Sequence, residues 1–268
     1  MTIALFFVIA LVGVVGLLAW GFVHGWRTHR RVPGSWPHRA RNIWSTTGLK
    51  WSPAAYGTVH AAVGLGASVL ALAIFAWVAD LVSDQAAITR VDVQFARWLH
   101  TLAIPAGITI AKAVSFVGGP GAMVVLMVAG ALYLLIRRER SLAYAWLIAF
   151  IGGGALDWAL KTLFHRARPA FPDAFVHVLG YSFPSGHAMG SLIGFGMLAY
   201  VIVRMLHRPA IDRSIAVSAT VLVLAIGFSR LYLGAHYLSD VVAGFAAGIV
   251  WLAACISAAE AMVERQPE

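Results

Sequence analysis

Seven times in 268 residues the chain runs for about twenty positions with almost no charge, and this recurrence limits the fold more than any other feature. The apolar stretches fall at about Ile3–Val23, Thr58–Val82, Gly118–Ile136, Leu142–Leu160, Ser185–Val203, Ile215–Leu233 and Tyr237–Val263. Each is long enough, or nearly so, to cross a bilayer as a helix. Composition agrees, since 60% of the residues are hydrophobic and 12% charged, where an average soluble domain carries roughly 25% charged residues. The expected fold is all-α, a polytopic membrane helical bundle forming one domain, because seven crossings leave little chain for another. The first crossing has no basic residue before it and no small-residue cleavage pattern, so it reads as a retained anchor. Cys255, the single cysteine, sits in an apolar run and is expected to be a buried, inert thiol.

Loop charges give the bundle a direction. Arg27, Arg30, Arg31, Arg39, Arg41 and Lys50 lie between the first two crossings. Arg137, Arg138 and Arg140 follow the third, Arg204, Arg208 and Arg213 the fifth, and Arg265 is in the tail. These thirteen of the twenty Lys and Arg residues share one side, which the positive-inside rule assigns to the cytoplasm. The N-terminus is then expected outside and the C-terminus in the cytoplasm. The loop Arg27–Lys50 interleaves its cations with Trp26, Trp36, Trp44 and Trp51, the pattern of an anchor on the membrane surface. No nucleic-acid partner is expected from it. Between Asp84 and Val117, Val91, Phe95, Trp98 and Leu99 recur at helical spacing before Pro105. That segment is either a helix lying in the outer interface or a linker that covers the bundle.

On the outer side stand Arg90, Arg97, Lys112, Lys161, Arg166, Arg168 and Arg230. An ionisable group at membrane depth costs about 2.5–3.5 kcal/mol by insertion scales, so a cluster of them requires partners or a function. Three clusters meet there: Lys161-Thr-Leu-Phe-His-Arg-Ala-Arg168-Pro169, Pro184-Ser185-Gly186-His187, and Ser229-Arg230-Leu-Tyr-Leu-Gly234-Ala-His236-Tyr-Leu-Ser-Asp240. Lys161, Arg168 and Arg230 supply three positive side chains, two of them guanidinium forks that match phosphate oxygens. Ser185 and Gly186 open a helix, whose free N–H groups favour an anion, and Gly186 lets backbone come close. Neither cysteine pairs nor a carboxylate cluster accompanies the histidines, so a metal site lacks its ligands and a metal-free displacement is left. In that displacement the neutral imidazole of His236 attacks phosphorus. Asp240, four residues on, is placed to hold the second ring nitrogen and stabilise the ring's growing charge. His187 protonates the leaving oxygen and then activates water to release the phosphate.

The three clusters resemble the signature of the type 2 phosphatidic-acid phosphatase superfamily, which also includes vanadium haloperoxidases. Its elements, Lys-x6-Arg-Pro, Pro-Ser-Gly-His and Ser-Arg-x5-His-x3-Asp, are matched in order by Lys161 with Arg168-Pro169, by Pro184 to His187, and by Ser229-Arg230 with His236 and Asp240. The resemblance implies a six-helix core from about Thr58 to Val263, to which the first crossing is an extra N-terminal transmembrane helix. It implies a histidine nucleophile at His236, an acid and base at His187, phosphate ligands at Lys161, Arg168, Ser185, Gly186 and Arg230, and neither metal nor other cofactor. The haloperoxidase branch is soluble, so the apolar crossings point to the membrane lipid phosphatase branch. A bacterial inner-membrane enzyme is therefore expected, with its site facing the periplasm or exterior and a lipid phosphomonoester or diphosphate as substrate. A dedicated undecaprenyl-diphosphate phosphatase and a non-catalytic lipid-phosphate transporter or binding protein are the alternatives, since the motifs read phosphate and not the tail.

The expected divisions are an anchor at 1–24, a basic loop at 25–56, the membrane phosphatase domain at 57–263 and a tail at 264–268. Asp157, one helical turn before Lys161, is expected to neutralise it. Arg166 and His165 read as surface residues near a headgroup ahead of a grip on the second phosphate of a diphosphate, and His60 and His177 receive no role. Gly186, Gly190 and Gly194, with Gly244 and Gly248, mark faces where helices approach closely within the bundle.

Overall fold

The computed structural model describes residues 53–84, 87–206 and 209–264. The first crossing, the 25–52 part of the basic loop and the tail from Arg265 lie outside the described residues. The helices, in chain order, are α1 Pro53–Ser83, α2 Ala87–Thr101, α3 Pro105–Val117, α4 Pro120–Ile136, α5 Arg140–Phe164, α6 Gly186–Leu206, α7 Pro209–Tyr232 and α8 Leu238–Glu264. No strand occurs among the described residues. Six stretches are long and apolar enough to cross a membrane: Gly64–Ser83, Pro105–Ile136, Arg140–Phe164, Gly186–Leu206, Ile211–Tyr232 and Leu238–Glu260. The chain is a multi-pass membrane protein of all-α fold, and these stretches overlap the six crossings expected from Thr58 onward.

The second of them corrects the expected boundary at Gly118. Only α2 lies apart from the spans, whereas α3, expected to be part of the outer segment, packs along α7 and continues the apolar run of α4. Pro105 and Pro120 each open a helix, where a missing N–H leaves no hydrogen bond unmade. Between them the Gly118 and Gly119 N–H groups fold back on the Ser115 and Phe116 carbonyls at 3.1 and 3.0 Å, which breaks the run into two helices.

α8 is the central helix, packed on α6, α1 and α5. Its buried face is small, with Ala243, Ala246, Ala247 and Val250 all at 4% exposure or less. Between apolar helices in lipid, close van der Waals contact replaces the hydrophobic driving force, and small residues permit it. A Cβ at Gly244 would stand 2.7 Å from the Ser185 carbonyl oxygen, and one at Gly194 2.9 Å from the Met123 sulfur. Gly190 has open space around it, so only part of the expected glycine face is a contact. The indole N–H groups of Trp146 and Trp251 donate to the Met127 and Ala149 carbonyls at 2.8 and 3.0 Å. Large side chains such as Trp77, Val125, Ile151 and Val221 point outward, as the lipid-facing surface of a bundle requires. Cys255 is buried, as expected.

Candidate active site

Four chain segments meet at the end of the bundle where α5 and α7 finish and α6 and α8 begin. α5 stops because His165 adopts a left-handed conformation, φ 48°, with its N–H on the Lys161 carbonyl. That turn sends Arg166, Ala167 and Arg168 across the bundle end. α7 stops at Gly234, φ 66°, where a side chain would also strike Phe171. His236 and Tyr237 come next, and α8 then starts with Asp240 Oδ2 accepting the Tyr237 N–H at 2.9 Å, as a capping box does.

His236 is the centre of this assembly and is 2% exposed. Its Nδ1 lies 2.8 Å from the Ser182 carbonyl oxygen and 3.5 Å from Asp240 Oδ2. Its Nε2 lies 3.0 Å from Arg168 Nη1. A guanidinium has only hydrogens to give, so Nε2 accepts and Nδ1 carries the proton. The sequence pattern pointed to Asp240 as the partner of the second nitrogen, whereas the short contact is to the Ser182 carbonyl and Asp240 is the more distant neighbour. Burial pushes the His236 pKa down to about 4, with Asp240 opposing and Arg168 and Arg230 adding to the fall. The ring is therefore neutral at neutral pH.

The expected phosphate ligands surround this nitrogen. Arg168 is braced by backbone carbonyls, Nε on Gly180 at 3.0 Å, Nη2 on Tyr181 at 2.9 Å and Nη1 on Ala235 at 2.9 Å. Burial holds its guanidinium below the ordinary arginine value, against Asp240 and Asp157. Lys161 donates to Asp157 Oδ1 at 2.5 Å and to the Pro184 carbonyl at 2.7 Å, so the expected neutralising pair is present. Arg230, 4% exposed, donates from Nη1 to Ser115 Oγ at 2.5 Å, and its Nε has no partner among the described residues. Ser185 is fully buried, with its N–H on the Asp240 carbonyl at 2.9 Å and Oγ 3.5 Å from the Ala188 N–H at the start of α6. A Cβ at Gly186 would reach within 2.8 Å of Asp157 Oδ2. His187 faces the charges of Arg230, His236, Lys161 and Arg168, and its Nε2 borders Gly119 at the α3–α4 break. All eight expected site residues thus stand at one bundle end.

One expectation is corrected. Arg166 is no headgroup-facing surface residue; its side chain is 10% exposed. Nη1 donates to Asp240 Oδ1 at 2.5 Å and Ser239 Oγ at 2.7 Å, and Nη2 to Asp92 Oδ2 at 2.8 Å. The guanidinium also stacks 4.4 Å from the Tyr237 ring centre. Burial alone would lower its pKa, but Asp240 and Asp92 outweigh burial and hold it above the ordinary value. Two further residues went unread in the sequence, Asp92 and Ser115. The signal for Asp92 was available, since Asp92, Ala96 and Leu99 share one helical face and that face is the buried one.

A PAP2 superfamily model matches residues 140–262. Phosphatidylglycerophosphatase B of Bacillus subtilis (strain 168) is 35% identical over 107 residues, 39% of this chain and 51% of that protein. Lipid A 1-phosphatase of Rhizobium etli is 31% identical over 134 residues, 43% of this chain and 53% of that protein. The chain thus spans about half the length of these curated relatives. The crystal structure of a transmembrane PAP2 type phosphatidylglycerolphosphate phosphatase from Bacillus subtilis shares the fold, with a TM-score of 0.67 over 75% of this chain and 98% of that one, at 23% identity. The PAP2 superfamily match runs from the arginine that opens α5 to the last turns of α8 and takes in all eight expected site residues.

Proposed function

We propose that the protein is a membrane lipid phosphatase that hydrolyses a lipid phosphomonoester or diphosphate through a phosphohistidine at His236. The observation that carries this reading is the lone pair of His236 Nε2, held beside Arg168 at one end of a bundle of membrane-spanning helices. Lys161, Arg168 and Arg230 grip the equatorial phosphate oxygens together with Ser185 and the first N–H groups of α6. Arg168 leaves Nε2 for a phosphate oxygen as substrate enters, which frees the lone pair. Nε2 then forms the N–P bond while the P–O bond to the lipid breaks, and the leaving oxygen takes its proton from His187. Water, deprotonated by His187, next attacks phosphorus and returns the electron pair to Nε2. The chemistry needs no metal. The basic loops Arg137–Arg140 and Arg204–Arg213 support an orientation with this end outside a bacterial inner membrane.

The activities named for the relatives make phosphatidylglycerophosphate and lipid A 1-phosphate the first substrates to try, with an isoprenoid diphosphate beside them. Phosphate release by purified protein in detergent with EDTA is the test. Activity on one of these lipids that disappears in His236→Ala is expected. Wild-type activity in that variant, or activity that EDTA removes, overturns the reading.

A further inference from the structure

Arg166, Asp92 and Ser239 form a closed ring of hydrogen bonds behind His236, and Arg166 joins Asp240 to it. Asp92 Oδ1 accepts the Ser239 N–H at 3.0 Å, while Oδ2 accepts from Ser239 Oγ and from Arg166. Arg166 closes the ring on Ser239 Oγ and also donates to Asp240 Oδ1. The side chains of Asp92 and Asp240 are 2% and 0% exposed. Arg166 also governs the other neighbour of Nδ1. Its backbone carbonyl accepts the Ser182 N–H at 2.8 Å, and the Ala167 carbonyl accepts Ser182 Oγ at 3.0 Å. Both oxygens near His236 Nδ1, one from Ser182 and one from Asp240, are thus pinned through a single arginine.

The charge of this cluster has a direct chemical meaning. Two carboxylates share one guanidinium, so the cluster carries one net negative charge in a site almost without solvent. Asp240 and Arg166 alone would cancel. The other groups facing His236 are Arg168, Arg230 and His187, which lie on the phosphate side, and Arg97 is exposed beyond Tyr237. When Nε2 bonds to phosphorus and Nδ1 keeps its proton, the imidazole ring becomes positive. A fixed negative charge behind it stabilises that state and does nothing for the neutral ring.

We propose that Asp92, carried on α2 outside the 140–262 family match, is a positioning residue of the reaction that gives the Arg166–Asp240 pair its excess negative charge, the counter-charge of the phosphohistidine. The proposal rests on the phosphohistidine reading. Asp92→Asn keeps an oxygen for the Ser239 N–H and removes only the charge. The expected result is a fall in kcat of about tenfold to a hundredfold with KM within about twofold, because the missing charge acts after binding. Inhibition by vanadate, which bonds to the imidazole as the transferring phosphoryl does, weakens by a similar factor, while inhibition by inorganic phosphate is unchanged. Asp92→Glu, which retains the charge, keeps vanadate inhibition near wild type even where thermal stability drops. The double variant Asp92→Asn/Arg166→Gln restores one net negative charge and is expected to be faster than Asp92→Asn alone. A slower double variant, unchanged kcat in Asp92→Asn, or equal loss of vanadate and phosphate inhibition would overturn the proposal and leave Asp92 a cap for α8. Should Asp92→Asn not fold, vanadate inhibition of Asp92→Glu decides, and its loss overturns the proposal. Activity surviving in His236→Ala would instead overturn the reading beneath it, so the two failures are told apart.

Discussion

α6 and α8 pack along their lengths, and their two ends treat the same chemistry in opposite ways. At the far end Arg204 Nη1 meets both oxygens of Glu260 at 2.9 Å, and the Tyr200 hydroxyl donates to Glu260 Oε1 at 2.6 Å. Arg204 sits in the last turn of α6, where a helix dipole favours a cation, and the pair is about one-third exposed. At the near end the positive poles of both helices point into a buried cluster that already holds Lys161, Arg168 and Arg230. Lys161 is paired with Asp157 there, whereas Arg168 and Arg230 have no carboxylate partner among the described residues, and the dipoles oppose them. One end is a settled ion pair; the other holds two guanidinium groups without a carboxylate of their own among the described residues. The contrast separates charge that is paired across the bundle from charge that is not.

The contrast breaks most visibly at Arg166. Arg166→Met strands Asp92 and Asp240 together without a cation, and removing one partner of a buried ionic cluster destabilises by about 3–5 kcal/mol. A large fall in thermal unfolding temperature in detergent is expected, together with loss of phosphate release. Arg230→Met should do the reverse on one axis. Arg230 gives a hydrogen bond to Ser115 and buries an Nε without a partner among the described residues, so an apolar side chain of similar length leaves stability equal or higher. Phosphate release should fall by about a hundredfold to a thousandfold, the usual effect of deleting a transition-state donor. If Arg230→Met were as unstable as Arg166→Met, the near-end cations would be structural and the distinction false.

How much of this was readable depends on which part of a residue does the work. Lys161, Arg168, His187, Arg230, His236 and Asp240 are rare ionisable groups in apolar sequence, and their spacing at helix ends brings them to one bundle end. The spans were legible for the same reason, since a membrane leaves the backbone little choice but helix. The Ser182 carbonyl beside His236 Nδ1 was not legible, because a backbone oxygen leaves no mark on composition and its position depends on how a loop folds. Arg166 was misread because an arginine next to a headgroup and one between two carboxylates look alike until Asp92 arrives from another helix. The α3–α4 boundary was displaced because Gly118, Gly119 and Pro120 read as the start of a span when they interrupt one. Gly190 shows the limit of spacing as evidence, since it shares the periodicity of Gly186 and Gly194 but has open space where a Cβ would stand.

The two ends should also differ in pH response. His236 is neutral when folded, its pKa lowered by burial from 6.5 to about 4, and the unfolded chain returns it to the ordinary value. Between these values the unfolded state binds more protons than the folded one. Stability from this group is therefore complete above pH 6.5 and is lost as pH falls toward 4. His236→Asn removes that dependence, so its unfolding temperature should decline less steeply with acidification than that of the wild type. Equal slopes would mean that the fold leaves this pKa at its ordinary value, so that burial does not hold the ring neutral below pH 6.5.

The smallest effect belongs to the far end. Arg204→Met leaves Glu260 with the Tyr200 hydroxyl and partial access to solvent, and ion pairs of this exposure contribute at most about 1 kcal/mol. Its unfolding temperature should lie close to wild type, and Arg204→Met/Glu260→Gln closer still, because the second change removes the carboxylate left without its cation. Phosphate release should be unchanged in both, since nothing at this end touches the cluster around His236. A loss of release in Arg204→Met without a matching loss of stability would show that α6 and α8 transmit strain along their length, through close contacts such as Gly244 against Ser185. The ends of the bundle would then be one system, and the excess positive charge near His236 would have to be explained together with the far pair.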